Sequence, residues 1–250
     1  MLRSRIIPCL LISKNGLVKT ERFLSPKYVG DPINAVKIFN EKKVDELVIF
    51  DIDSSRYKKS PDLKKLKIIA NESRMPLTYG GGINSVKEAK EIISLGFEKI
   101  SISNTAIRNS EVIKSISNEI GSQSVVVTID YKKNLFTKNY NIYTLNGTQR
   151  HDYNIFEFAK KVEALGAGEI LFNSISRDGT MKGYDIEFAK EIRKIIDTQI
   201  SFIGGAKDIN DMDLLIDSVG IVGAAAGSMF VFKGKFKAVL LNYQKPIRCE

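Results

Sequence analysis

Three aspartates stand where apolar runs give out: Asp51 at the end of "ELVIFD", Asp130 at the end of "SVVVTID", and Asp178 in "SRDGT" just after "GEILFNS". A carboxylate at a strand end can act as general acid or base, or it can cap the following turn. Asp130 closes a strongly apolar run, so loss of hydration would raise its pKa toward values useful at neutral pH. It is the first candidate for proton transfer. Two glycine runs, "YGGGI" (Tyr79–Ile83) and "FIGGA" (Phe202–Ala206), each precede a helical pattern. Backbone N–H groups exposed at such junctions bind phosphate. Small polar stretches repeat the theme: "SISNTA" (Ser101–Ala106), "RDGT" (Arg177–Thr180) and "AAGSMF" (Ala225–Phe230). Glycine also serves turns that hold no ligand, but two symmetrically placed runs point to two phosphates. The single His151 has no evident partner and reads as a loop histidine, and no His or Cys cluster suggests a metal.

A second charged set, Arg5, Glu46, Lys99 and Glu169, occurs at the other ends of the apolar runs. Two cations and two anions there fit either a stabilising rim or an ion-paired plug that seals, or gates, an apolar interior.

The elements that would position these residues alternate along the chain. Short β-branched runs at Arg5–Ile12, Glu46–Ile52, Pro76–Tyr79, Glu98–Ile102, Ser124–Asp130, Gly168–Asn173, Gln199–Ile203 and Gly220–Ala225 are separated by amphipathic ones. The latter are Pro32–Lys43, Pro61–Ser73, Val86–Leu95, Asn109–Ile120, Ile155–Leu165, Asp185–Ile196 and Ile209–Asp217, and "GKFKAVLLNYQK" also has a helical look. Strict alternation implies parallel strands with crossover helices, and eight units in 250 residues is the size of one (β/α)8 TIM barrel, with an open doubly wound sheet the alternative. Residues 134–148 break the rhythm and read as an inserted hairpin. The halves, about 1–120 and 121–250, resemble each other: Gly80 and Gly204 lie 124 positions apart, Phe50 and Phe172 lie 122 apart. In the same comparison Leu11 falls opposite Asp130. One half offers a carboxylate at its first strand tip and the other a leucine.

Composition narrows the setting. The chain is 43% hydrophobic and 27% charged, with only Cys9 and Cys249 as thiols, which suits a reducing cytoplasm and argues against a disulfide framework. Polar residues follow the first apolar run too soon for a secretory signal, and no run is long enough to span a bilayer. The net charge of +9 is spread over scattered lysines without a nucleic-acid motif, so neither nucleic acid nor membrane is expected as a partner.

Taken in order, "RIIPCL", "VKT", "GDP", "DELVIFDI", "YGGGI", "GSQSVVVTID", "GAGEIL", "SRDGT", "GYD" and "GGA" resemble the cyclase subunit of imidazole glycerol phosphate synthase from Met1 to about Gly234. That resemblance implies a (β/α)8 barrel that takes ammonia from a glutaminase docked at its N-terminal face. Ammonia then passes along the barrel axis to a bisphosphorylated substrate at the top. It implies phosphate contacts at Gly81, Gly82, Ser101 and Asn104 on one side and at Asp178, Gly179, Gly204, Gly205 and Ser228 on the other. It implies Lys19 on the first active-site loop, Asp130 as one catalytic aspartate, a charged ammonia gate of Arg5, Glu46, Lys99 and Glu169, and no cofactor or metal. Two departures stand out. Leu11 occupies the position of the second catalytic aspartate, and "SISNTA" replaces the family's "SINTA", placing Ser103 and Asn104 where Asn and Thr are expected. Loss of a positioned acid–base group costs about 10²–10⁴ in rate.

"PCLLISKNGLVKT", "PKYVGDPINAVKIFNEKKVDEL" and "GSMFVFKGKFKAVL" are more similar to a branch linked to bacterial surface-polysaccharide synthesis. There the barrel and glutaminase pair is thought to supply ammonia to an ATP-dependent sugar amidase that makes acetamidino sugars. The expectation is thus an ammonia-delivering barrel, with a working cyclase of histidine biosynthesis as the alternative.

Overall fold

The computed structural model describes residues 3–14, 16–134, 137 and 139–243. Eight strands alternate with helices as the periodicities require: β1 (Arg5–Ser13), β2 (Leu47–Asp51), β3 (Leu77–Gly80), β4 (Lys99–Ile102), β5 (Val125–Lys133), β6 (Glu169–Ser174), β7 (Gln199–Ile203) and β8 (Gly223–Ala226). Every neighbouring pair is parallel, and β6 pairs with β5, so the sheet closes on itself. The result is a (β/α)8 barrel. β1 pairs with β8 through Arg5–Pro8 and with β2 through Cys9–Ile12, the stagger that a tilted barrel strand shows.

Alternation decides which side chains fill the barrel. Along β1, Ile6, Leu10 and Ile12 join the layer between sheet and helices. Ile7, Cys9 and Leu11 join the interior with Val48, Val126, Leu171, Ile203 and Ala225. The main helices are α1 (Pro32–Glu41), α2 (Leu63–Glu72), α3 (Val86–Ser94), α4 (Glu111–Ile120), α5 (Ile155–Ala164), α6 (Ile186–Arg193) and α7 (Ile209–Val219). Side-chain oxygens of Asp31, Asp62, Ser85, Asn154, Asp185 and Asp208 cap six of them, fixing where each crossover begins. None of the described helices is long and apolar enough to cross a membrane.

The structure adds to or corrects the sequence reading at four points. The first active-site loop is itself an antiparallel hairpin, Gly16–Glu21 against Leu24–Gly30, and its first strand pairs with the top of β1. Its chain reversal uses left-handed Arg22 and Phe23, φ 53° and 65°, which carry none of the Gly or Asn signals of common turns. The insert after β5 is larger than 134–148, because β5 itself runs on to Lys133 and pairs with Tyr140–Thr144, which pairs with Gln149–His151; Leu135, Phe136 and Lys138 lie outside the described residues. A short helix, Asn104–Arg108, precedes α4. Finally, the described part of "GKFKAVLLNYQK" is not helical. After one turn, α8 (Ser228–Val231), the chain forms a small hairpin of Phe232–Lys233 and Ala238–Val239, then packs back through Tyr243 onto Phe230. Gly234, at φ +75°, supplies the reversal. Cys249 lies outside the described residues.

Candidate functional site

At the C-terminal ends of the strands the barrel opens into a cleft of about 920 Å³. Leu11, Lys19, Phe50, Gly81, Gly82, Ser101, Asn104, Asp130, Asn173 and Asp178 all line it, although they come from six strand ends. A second pocket of about 240 Å³, bounded by Asp178, Gly179, Gly204, Gly205, Gly227 and Ser228, adjoins the far side. The two glycine cradles follow β3 and β7, four strands apart in an eight-stranded barrel, and therefore face each other across the mouth. Backbone geometry demands glycine at both. A Cβ at Gly82 would sit 2.3 Å from the Lys59 carbonyl, and one at Gly205 would sit 2.0 Å from the Gly183 carbonyl, with φ at +69° and +106°.

Asp130 lies in the centre. Its Oδ1 accepts a hydrogen bond from Asn173 Nδ2 at 2.9 Å. Burial pushes its pKa up to about 7, the Asn173 bond pulls the other way, and the negative Asp178 adds to the rise. That places its titration in the useful range for proton transfer, as the apolar approach of β5 suggested. Cys9 lies below it, its thiol pushed up to about 12 by burial, so it stays a neutral, apolar side chain there.

The other two aspartates are occupied structurally. Asp51 accepts from the backbone N–H groups of Asp53 (3.0 Å) and Ser54 (3.1 Å), the turn-capping role. Asp178 accepts from the Thr20 hydroxyl at 2.8 Å and the Phe23 N–H at 3.3 Å, with Lys19 Nζ 3.9 Å from its other oxygen. It latches the Gly16–Gly30 hairpin over the cleft and thereby buries the Lys19 ammonium at its edge. Ser101 is turned to the barrel wall, where its hydroxyl meets Thr128 Oγ1 at 2.6 Å. His151 does have a partner, Thr144 Oγ1 at 2.8 Å, and belongs to the edge strand of the insert.

Leu11 sits at the top of β1 among Val18, Ile203, Phe50 and Ile52. The end of β1 is held by Asp53, which accepts from the Ser13 hydroxyl (3.0 Å) and the Lys14 N–H (2.7 Å). That corner of the cleft is apolar. Three side-chain polar atoms of cleft-lining residues are enclosed and, among the described residues, have no hydrogen-bond partner: Ser103 Oγ, Asn104 Oδ1 and Asn173 Oδ1. An unpaired buried polar group costs about 1–3 kcal/mol, so these atoms leave polar capacity unspent beside the cleft. The sequence reading missed Asn173, which nothing in its neighbours distinguished, and Asn146, whose amide reaches from the insert to the Ile52 carbonyl at 2.8 Å.

At the opposite end of the barrel the four charges form a closed ring. Arg5 bonds Glu46 and, at 2.8 Å, Glu169; Lys99 bonds Glu46 at 3.1 Å and Glu169 at 2.9 Å. Thr78 and Ser201 complete the carboxylates' partners. Burial works against the charge on Glu169, but Arg5 and Lys99 outweigh it and hold the carboxyl at about 2. Above the ring the interior is apolar.

The sequence pattern of the family described as "Histidine biosynthesis protein" matches residues 5–237. The chain belongs to this family. Among relatives, "Putative imidazole glycerol phosphate synthase subunit HisF" from Leptospira interrogans is 50% identical over 243 residues, 97% of this chain and 96% of the relative. A similarly named subunit from Vibrio vulnificus is 48% identical over 246 residues, 98% and 95% of the two chains. "Imidazole glycerol phosphate synthase subunit HisF" from Clostridium botulinum is 35% identical over 245 residues, 98% and 97%. The chain is thus homologous to imidazole glycerol phosphate synthase subunits over nearly the whole length of those relatives. In this histidine biosynthesis protein family member, the ion ring and the cleft occupy opposite ends of one barrel, with apolar residues between.

Proposed function

We propose that this barrel receives ammonia from a glutaminase docked over the ion ring. It conducts ammonia through its apolar interior to the cleft and supplies it for acetamidino-sugar formation in surface-polysaccharide synthesis. Leu11 carries the reading: the apolar corner at the top of β1 offers no group to move a proton where cyclisation calls for one. The complete ion ring supports delivery, because its four ion pairs close the far end of an apolar interior as a gate would. Neutral NH3 crosses the stretch lined by Ile7, Val48, Val126 and Leu171 far more cheaply than NH4+. The higher identity to the relatives from Leptospira and Vibrio than to the clostridial subunit agrees with a separate branch.

Lys99 is the natural moving part. Arg5 uses both terminal nitrogens on Glu169 and Glu46, whereas Lys99 offers a single ammonium on a flexible stem. In the complex with the glutaminase, Lys99→Ala should leave glutamine hydrolysis running while transfer of its amide nitrogen to product falls severalfold. Unchanged coupling would remove the gate.

A working cyclase is the second reading, favoured by Asp130 titrating near 7 with Lys19 and Asp178 on the same cleft. Ring closure at saturating ammonium salt separates the two, since near-normal turnover by the isolated chain would establish the cyclase.

A further inference from the structure

Ammonia released at the cleft into open water protonates at neutral pH and is lost as a nucleophile. A delivering barrel therefore needs its consumer seated over the mouth. Three segments, following the adjacent strands β8, β1 and β2, border one side of that mouth. The Gly16–Gly30 hairpin places Phe23 in the cleft wall and exposes Leu24 (67%) and Tyr28 (70%) beside it. The loop after β2 places Ser55 in the wall and exposes Tyr57 (56%), with the Arg56 guanidinium 5.6 Å and the Lys59 ammonium 5.7 Å from its ring centre. The hairpin after β8 exposes Phe236 at its tip, 93% accessible, and is tied to the first hairpin by Lys237 and Glu21 at 3.5 Å.

Large apolar side chains interleaved with cations beside a concave opening are what a protein interface requires: anchors for pockets within a polar rim. The charge selects the partner. Lys27, Lys58, Lys59 and Lys235 are exposed and, among the described residues, have no carboxylate within 4.0 Å. The chain as a whole carries +9. From this we infer that the rim of the mouth is the docking surface for the ammonia-consuming enzyme, which meets it with an acidic face and pockets for Phe236 and Leu24. The inference rests on the delivery reading. A lipid or nucleic-acid surface would be met by a flat basic stripe, whereas these cations are interleaved with exposed apolar anchors beside an opening into a cleft.

The test uses the full chain with its glutaminase and a purified ATP-dependent sugar amidase. Phe236→Asp and the pair Lys58→Glu with Lys59→Glu change only exposed side chains, and thermal melts verify that they fold. Each should reduce transfer of the glutamine amide nitrogen to the sugar at least about tenfold, the scale of losing one interface anchor. Amidation driven by ammonium salt, and glutamine hydrolysis in the complex, should stay within about twofold. Sedimentation should show wild-type association with the amidase that weakens with salt. Unchanged transfer in both variants, while Lys99→Ala still uncouples, would overturn the docking surface and leave delivery standing. So would rim-dependent binding to phosphatidylserine vesicles or RNA with none to the amidase. If wild-type complex transfers no glutamine nitrogen at all, delivery and docking fall together.

Discussion

Replacing Asp130 with Asn changes a carboxylate into a neutral amide of the same shape. The amide oxygen can still accept from Asn173 Nδ2, so the 2.9 Å bond survives and the charge alone is removed. In the wild type, burial raises the Asp130 pKa from 3.8 to about 7. Below pH 4 the group is neutral in both folded and unfolded chains, and its charge costs nothing. Between about 4 and 7 the unfolded chain ionises while the folded one keeps its proton, so stability falls as pH rises and levels off above 7. A shift of about 3 units corresponds to about 4 kcal/mol at about 1.4 kcal/mol per unit. Because the carboxylate faces a cleft open to water, about 2 kcal/mol is the expected size. Asp130→Asn should therefore unfold at higher urea than wild type at pH 8.5 by that amount, with the gap closing toward pH 4.5. Equal gaps at the two pH values, or a less stable variant at pH 8.5, would refute a buried carboxylate. In the delivery reading the same variant still transfers glutamine nitrogen within about threefold, whereas a general base would lose about 10²-fold or more.

Two other substitutions bear on the cleft. Leu11→Asp should lose about 2–4 kcal/mol on thermal unfolding, since it withdraws a leucine from the apolar corner and places a carboxylate there. It should raise ammonium-dependent ring closure, and a folded variant with no gain would show that more than this group has been lost. Gly205→Ala forces a methyl against the Gly183 carbonyl at φ +106°, which should cost at least about 2 kcal/mol. Inorganic phosphate should raise the melting temperature of the wild type and not of this variant; an equal rise in both would move the anion site elsewhere.

The strand–helix alternation is local information, and so the barrel was legible: hydrophobic period and β-branched runs place all eight barrel strands within a few residues of their observed bounds. The four charges could be read as a set because each opens a strand, and closure of the sheet must then bring strand starts to one end. Leu11 was legible from the comparison of the two halves, in which it falls opposite Asp130. What sequence patterns could not supply were pairings across the mouth. Asp130, Asp178 and Asp51 look alike in their local runs, and only the folded chain separates them, leaving the first beside Asn173 at the cleft while spending the others on a hairpin latch and a turn. The extension of β5 into an arm comes from pairing with Tyr140–Thr144 across an irregular loop, and the turn through Arg22 and Phe23 is held by Asp178 far along the chain. Asn173 is inconspicuous in "EILFNS" and acquires its place beside Asp130 only when β5 and β6 lie side by side. Periodicity determines which face a residue takes; what that face meets depends on the closed sheet, because the energy of a buried polar group is set by its neighbours in space.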